Sequence, residues 1–166
     1  DSLQKAMEHA ETLGCDFALA DTAGGGSELN MTIVANSDLV IVPTSLTILD
    51  LDEAISTMEF ATKVAGNIGT PIDIRMLLTR YPQSGRLKST EQQNLTAVAQ
   101  LPHFESRLTD RAAFADLKIS GLISEYYHLL SEQKSKRLMA THVMTAIGEA
   151  RDVTKEIIEA LAGSEQ

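Results

Sequence analysis

Two strand-like runs, separated by one long amphipathic stretch, constrain the fold of this chain more than any other feature. The first run is DLVIVPT at residues 38–44, and the second is IDIRMLLTR at residues 72–80. The first run is continuously apolar from Leu39 to Pro43, which is typical of a strand covered on both faces, as in parallel sheets. Pro43 cannot donate to a strand ladder and marks the end of the first run. The sequence therefore predicts a parallel β-α-β unit.

Helical patterns alternate with these runs along the whole chain. Asp50 and Glu53 resemble a capping box at the start of the helix between the two strands, and Gly66 and Gly69 close that helix. This alternation predicts an α/β fold, a parallel sheet flanked by helices on both faces. The other predicted elements are helices over 2–13, 27–35 (capped by Ser27), 89–99, 110–119 (capped by Asp110) and 131–162, and strands at 16–21 (DFALAD) and 103–108 (HFESRL).

Composition narrows the class of protein. The chain has 166 residues, of which 43% are hydrophobic, and this suits one globular domain. Its formal net charge of −9 argues against a protein whose entire surface binds nucleic acid. The single cysteine, Cys15, excludes an internal disulfide, fits a reducing cytoplasmic environment and is expected to be a small buried residue. No apolar run reaches the roughly 20 residues that span a bilayer.

The segment ALADTAGGGSELN, residues 18–30, carries the strongest chemical signal. An apolar run ends at Asp21, and a carboxylate at a strand tip can hold Mg²⁺ through its waters. Gly24 and Gly25 have no Cβ, so their N–H groups can approach a phosphate oxygen closely. The alternative interpretation is a strand followed by a flexible turn, with Asp21 as a turn-forming residue.

Other polar residues follow the predicted strands. Thr44 ends the first strand-like run, and Thr79 and Arg80 end the second. Because ligands of parallel sheets bind beyond the carboxyl ends of the strands, these residues and Asp21 are expected to line one crevice. The four histidines are widely spaced, so no metal site other than one for Mg²⁺ is predicted.

A basic segment covers residues 74–90 and holds four cations without an acid. Arg80, Arg86 and Lys88 are candidates for contacts with DNA phosphates, each of which would steepen the salt dependence of binding. An ordinary solvated loop is an equally good interpretation. Arg75 lies in mid-strand, where an ion-paired structural residue is the alternative.

The wider sequence resembles the ParA family of partition ATPases, to which the MinD-type proteins are related. In that family a strand ending in Asp is followed by a glycine pair, a helix, an "AD-apolar-P" strand and a loop into the next helix. The segment at 18–54 matches this order, and MLLTRY at 76–81 and DRAAFADLKISGLISEY at 110–126 match later family segments. Within the family, the resemblance is closest to the ParA-like VirC-type ATPases that assist T-DNA transfer.

The resemblance implies a P-loop NTPase fold and a set of site residues. Asp21 would bind the Mg²⁺ shell, and Gly24 and Gly25 would sense the γ-phosphate of ATP. Thr79 and Arg80 would flank the adenine, although the family often has Asn at that strand end, and Thr44 would lie across the crevice. The family forms ATP-dependent dimers that bind DNA without much sequence preference and recruit a relaxase or partition adaptor.

One family motif does not occur in these 166 residues. The family's phosphate loop, Lys-Gly-Gly-x-Gly-Lys-[Ser/Thr], has no counterpart here, because neither GKT nor GKS occurs. Residues 1–166 are therefore expected to form one domain corresponding to the C-terminal two-thirds of a ParA-type ATPase, and not to hydrolyse ATP alone. A non-catalytic module that recruits a DNA-processing partner is the main alternative. A flavodoxin-like or receiver-type α/β domain is a third.

Overall fold

The structure, a computed structural model, describes residues 2–23 and 25–163. The protein is mixed α/β, with a two-stranded parallel sheet flanked by helices. Within the described residues the elements are α1 (Ser2–Thr12), α2 (Glu28–Ala35), β1 (Leu39–Thr44), α3 (Ile48–Ile68), β2 (Asp73–Leu78), α4 (Ser89–Val98), α5 (Ala112–Ser120), α6 (Ile123–Ser131), a short 3-10 helix (Lys134–Lys136) and α7 (Arg137–Gly163).

The two strand-like runs at 38–44 and 72–80 form the sheet, as predicted. Strands β1 and β2 pair in parallel from Leu39 opposite Asp73 to Thr44 opposite Leu78. The predicted strand at 103–108 forms only in part. Its chain follows β2 and bonds to it at both ends, with the amide of Leu108 2.9 Å from the carbonyl oxygen of Leu78, but it forms isolated bridges instead of a continuous ladder.

Helices cover both faces of the sheet. Residues of even number in β1 and β2 pack against α2, α3 and α4, and the packing centres on Met76, which is fully buried. Residues of odd number face α7 on the other side, where Phe104 and Val153 form a smaller cluster. The alternation follows from the two-residue period of a strand. A further helical cluster joins α5, α6 and the first half of α7.

Two glutamates of α7 hold the partial third strand in place. Glu156 accepts hydrogen bonds from the backbone amides of Glu105 and Ser106 at 2.7 and 2.9 Å. Glu149 accepts from the amide and hydroxyl of Thr109 and from the Arg111 guanidinium. These carboxylates replace the backbone partners that a regular strand would have provided.

The prediction of a strand at residues 16–21 was wrong. The segment is irregular, every residue from 11 to 23 is exposed, and the side chain of Leu19 is 95% exposed. It forms no backbone hydrogen bond with another described segment. An isolated extended segment gains neither ladder hydrogen bonds nor burial, so its apolar composition alone does not make it a strand. Cys15, which was expected to be buried, is exposed for the same reason.

Helix ends were predicted with mixed success. Ser27 caps α2 as expected, with its hydroxyl accepting from the amide of Asn30 at 3.1 Å. Thr47, and not Asp50, caps α3, and Gly69 ends it in a left-handed conformation. Helix α5 follows Arg111 instead of Asp110. The long C-terminal pattern is divided, because α7 begins only after the 3-10 helix.

Candidate functional site

The carboxyl ends of β1 and β2 meet at one edge of the sheet, as predicted. Thr44 is 2% exposed, and its carbonyl oxygen accepts from the Thr79 amide at 2.7 Å and from the Thr79 hydroxyl at 3.0 Å. These bonds extend the pairing one residue beyond the strands. Thr44 and Thr79 are thereby fixed side by side, and Arg80 leaves the sheet next to them.

A polar network connects the end of β1 to the end of β2. The Ser45 hydroxyl donates to an Asp50 carboxylate oxygen, and the Arg80 guanidinium donates to the same oxygen at 2.7 Å. The hydrogen bond from Ser45, with smaller effects of Thr47 and Arg80, holds the pKa of Asp50 below its usual value, although partial burial acts in the opposite direction. Asp50 is thus an anion fixed at the crevice edge, a role that the sequence did not indicate.

Asp21 is not part of this edge. Its segment lies outside the sheet, and Asp21 is exposed without a hydrogen bond or ion pair to another described residue. Its exposed carboxylate has the chemistry that a Mg²⁺ shell requires, but the sheet does not hold it beside Thr44 and Thr79. Gly24 lies outside the described residues. Gly25 adopts φ +102°, which favours glycine, and its carbonyl accepts from the buried Asn30 side chain at 2.6 Å.

The basic segment divides into a structural and an exposed part. Arg75 pairs with Asp73 at 2.7 Å and lies 5.6 Å from the centre of the Phe104 ring, so the ion-paired interpretation is confirmed. Arg86 and Lys88 are exposed, and neither side chain pairs with another described residue. They remain free to contact an anion.

A cavity of about 560 Å³ lies beside the end of β2, and Tyr81, the residue after Arg80, is part of its lining. The Arg107 guanidinium stacks over the ring of Tyr81 at 3.9 Å from its centre, and Arg111 pairs with Glu149 at 2.7 Å within the same cavity. Sequence reasoning missed both arginines, because their partners, Tyr81 and Glu149, are distant in the sequence. A second, largely apolar groove of about 900 Å³ lies between the C-terminal half of α3 and the start of β2.

Two features are absent from the part of the chain that the structure describes. Between residues 2 and 163, leaving out residue 24, no helix combines the length and apolar character needed to cross a membrane. Over the same residues no three His, Cys, Asp or Glu side chains lie together as metal ligands.

Comparison with known proteins gives a consistent result. The family model described as VirC1 protein matches residues 1–163. The chain belongs to the VirC1 family. A protein virC1 of Rhizobium rhizogenes is 38% identical over 159 residues, which cover 96% of this chain and 68% of that relative. A protein virC1 of Rhizobium radiobacter is 35% identical over the same shares of both chains. The sheet edge, the basic segment and the cavity of this VirC1 family member all lie within the matched residues.

Proposed function

We propose that this protein is a ParA-like ATPase that binds Mg-ATP at a dimer interface and positions DNA for transfer, as in T-DNA transfer or plasmid partition. Membership of the VirC1 family supports the proposal, because the VirC-type ATPases that the sequence resembles are ParA-like. The structural observation that carries it is the meeting of Thr44, Thr79 and Arg80 at one end of two parallel strands. That position is where α/β sheets bind ligands.

The proposal includes a P-loop NTPase fold for the domain formed by residues 1–166. Mg-ATP, when bound, would supply a γ-phosphate whose hydrolysis controls dimerisation and release of DNA. Asp21 would hold the Mg²⁺ shell through water, and Gly24 and Gly25 would face the γ-phosphate. Residues 16–21 would need to join the sheet for Asp21 to reach that place, so the site is incomplete in the arrangement described above.

The base of the nucleotide would lie beyond the end of β2. Thr79 and Arg80 lead directly into the 560 Å³ cavity, which is large enough for a small planar ligand. The exposed Arg107 guanidinium, stacked on the buried Tyr81 ring, offers a flat surface of the kind that packs against a heterocycle. This arrangement supports the assignment of Thr79 and Arg80 to the adenine side of the site.

Nucleotide binding is the direct test. We expect the 166-residue chain to bind Mg-ATP weakly and not to hydrolyse it, because it has no lysine in a glycine-rich phosphate loop. The complete translated product of its gene should bind and hydrolyse Mg-ATP if that product contains such a loop. Micromolar affinity of the 166-residue chain, measured by titration calorimetry, would contradict this account of the phosphate site.

DNA binding is proposed for Arg86 and Lys88 of the exposed loop, with Arg80 beside them. A dimer would present two such loops, which helps to overcome the repulsion expected from a chain with net charge −9. Replacing Arg86 and Lys88 by Ala should weaken binding to any duplex and flatten its dependence on salt. Lys155→Ala removes an exposed cation far along α7 and serves as the control.

A non-catalytic recruiting module is the second candidate. It is favoured by large apolar side chains that stay exposed on α6 and α7, including Leu129 at 58% and Leu138 at 73%. Such a module would bind a relaxase or adaptor in the cytoplasm without nucleotide. If the complete gene product has no phosphate loop and binds such a partner equally well with and without Mg-ATP, this candidate replaces the first.

A further inference from the structure

Arg80 has an unusual backbone conformation. Among the described residues other than glycine it alone has a positive φ, +52°, in the left-handed region. A side chain with a Cβ pays a steric penalty there, so surrounding interactions must hold it. The conformation turns the chain out of β2 and directs the Arg80 side chain back toward the start of α3, where it meets Asp50.

Asp50 is held in place independently of Arg80. Ser45 is only 5% exposed, and its hydroxyl donates to the Asp50 carboxylate. The backbone amide of Asp50 donates to the Thr47 hydroxyl oxygen at 3.2 Å. The carboxylate therefore keeps its position whether or not the guanidinium is present. It is a preorganised negative charge opposite a cation.

The ion pair itself is weak enough to be exchanged. The Arg80 side chain is 65% exposed and that of Asp50 is 35% exposed, and pairs in water contribute little free energy. A phosphate can accept two parallel hydrogen bonds from a guanidinium, whereas the structure gives a single one to Asp50. A phosphate group that approaches the crevice edge can therefore displace the carboxylate.

We propose that Asp50 is an intramolecular competitor that occupies an oxyanion site on Arg80 until a phosphate group replaces it. The inference rests on the DNA-binding part of the proposed function, in which Arg80 is a candidate for a contact with a DNA phosphate. The phosphates of a nucleotide offer the same oxyanion chemistry, and the experiment below distinguishes the two sources. Binding of the phosphate would release the link between the start of α3 and the end of β2.

The primary test uses inorganic pyrophosphate as the probe and the arginine side-chain Nε–H signals of the ¹⁵N-labelled protein as the readout. Asp50→Asn removes the charge but keeps an acceptor for Ser45, and the amide spectrum reports whether the variant is folded. Asp52→Asn changes the charge of the same helix by the same amount at an exposed neighbour and is the matched control. We expect Asp50→Asn to tighten binding at Arg80 about three- to fivefold relative to Asp52→Asn, the range of an exposed ion pair.

Two results would overturn the inference. One is equal pyrophosphate affinity of Asp50→Asn and Asp52→Asn at the Arg80 signal. The other is a gain that persists when Arg80→Ala is added to Asp50→Asn. Repeating the comparison with a duplex DNA of arbitrary sequence and with Mg-ATP then identifies the source of the phosphate. If Asp50→Asn increases the affinity for neither DNA nor Mg-ATP, the result counts against the proposed function. The pyrophosphate comparison still decides the inference about Asp50.

Discussion

Residues 16–21 and residues 39–44 have similar apolar patterns and opposite outcomes. Leu39–Thr44 pairs with β2 on one edge and is packed on both faces, so its backbone bonds and its side chains are satisfied together. Residues 16–21 pair with no strand in the part of the chain that the structure describes, and Phe17 is 64% exposed. The comparison shows that an apolar run specifies a strand only where a neighbour completes the ladder. The segment that carries Asp21 would therefore form a strand only if a neighbouring strand paired with it. The segment that ends at Thr44 already has such a neighbour in β2.

The largest test of this difference exchanges two phenylalanines for alanine. Phe104 is 1% exposed between β2 and α7, so Phe104→Ala should lower the free energy of unfolding by about 3–5 kcal/mol. Phe17→Ala should change it by less than about 0.5 kcal/mol, as exposed positions do. Urea denaturation followed by circular dichroism measures both. A loss of more than about 1 kcal/mol in Phe17→Ala would mean that residues 16–21 are packed in solution.

The next test removes the charge that holds the partial third strand. Glu149→Gln should cost about 2 kcal/mol, because Arg111 and Thr109 lose a charged acceptor in a half-buried site. Glu159, which is 64% exposed beside Lys155, provides the control Glu159→Gln, for which a change within about 0.5 kcal/mol is expected. Equal effects of the two substitutions would mean that Glu149 does not anchor the strand.

The contribution of Glu149 to the free energy of unfolding should also depend on pH. Burial alone would raise the pKa of Glu149, but hydrogen bonds from Arg111 and Thr109 outweigh it and lower the pKa below 4.5. The pKa of Glu156 is lowered in the same way by the Ser106 and Glu105 amides. Both folded-state values lie below the unfolded value, so their contribution is complete above pH 4.5 and is lost as the pH falls through them. Glu149→Gln should therefore show a shallower loss of stability with acid than the parent.

A smaller loss of stability is expected when a threonine is replaced by alanine at the start of α3, in the β-α-β unit, or in α1, before residues 16–21. Thr47 caps α3 in the core unit, and Thr47→Ala should cost about 1 kcal/mol because the Asp50 amide loses its acceptor. Thr12 lies in exposed α1 and bonds only to the carbonyl of Glu8. Thr12→Ala should leave the unfolding midpoint almost unchanged. A comparable loss in both variants would show that α1 unfolds together with the core.

The smallest effect is expected at Cys15, where the structure gives no protection. A thiol reagent in native buffer should label it at a rate within about tenfold of the rate in denaturant, since access is unrestricted. Mass spectrometry gives the rate, and Cys15→Ser provides the blank. Protection by several orders of magnitude would show that the segment before Asp21 is covered by another part of the protein.

The candidate site was predictable where it depended on strand ends. Thr44 and Thr79 could be placed together from the sequence, because parallel strands bring their carboxyl ends to one edge. Asp50 was misassigned as a cap, since one carboxylate can bond a helix amide or a side chain and the sequence does not distinguish these partners. The positions of Arg107 and Arg111 depend on the path of the partial third strand. Helix α7 fixes that path through contacts between distant residues, such as Thr109 and Glu149, which are 40 residues apart.

The sequence alone determined the β-α-β unit, the helices around it other than α6, and the exposure of Arg86 and Lys88, because periodicity and charge act over neighbouring residues. Only the tertiary structure decided that residues 16–21 remain unpaired, that Asp50 binds Arg80 and that α7 holds the third strand. Each of these depends on whether a distant partner is present at hydrogen-bonding distance. Local pattern contains no information about that distance.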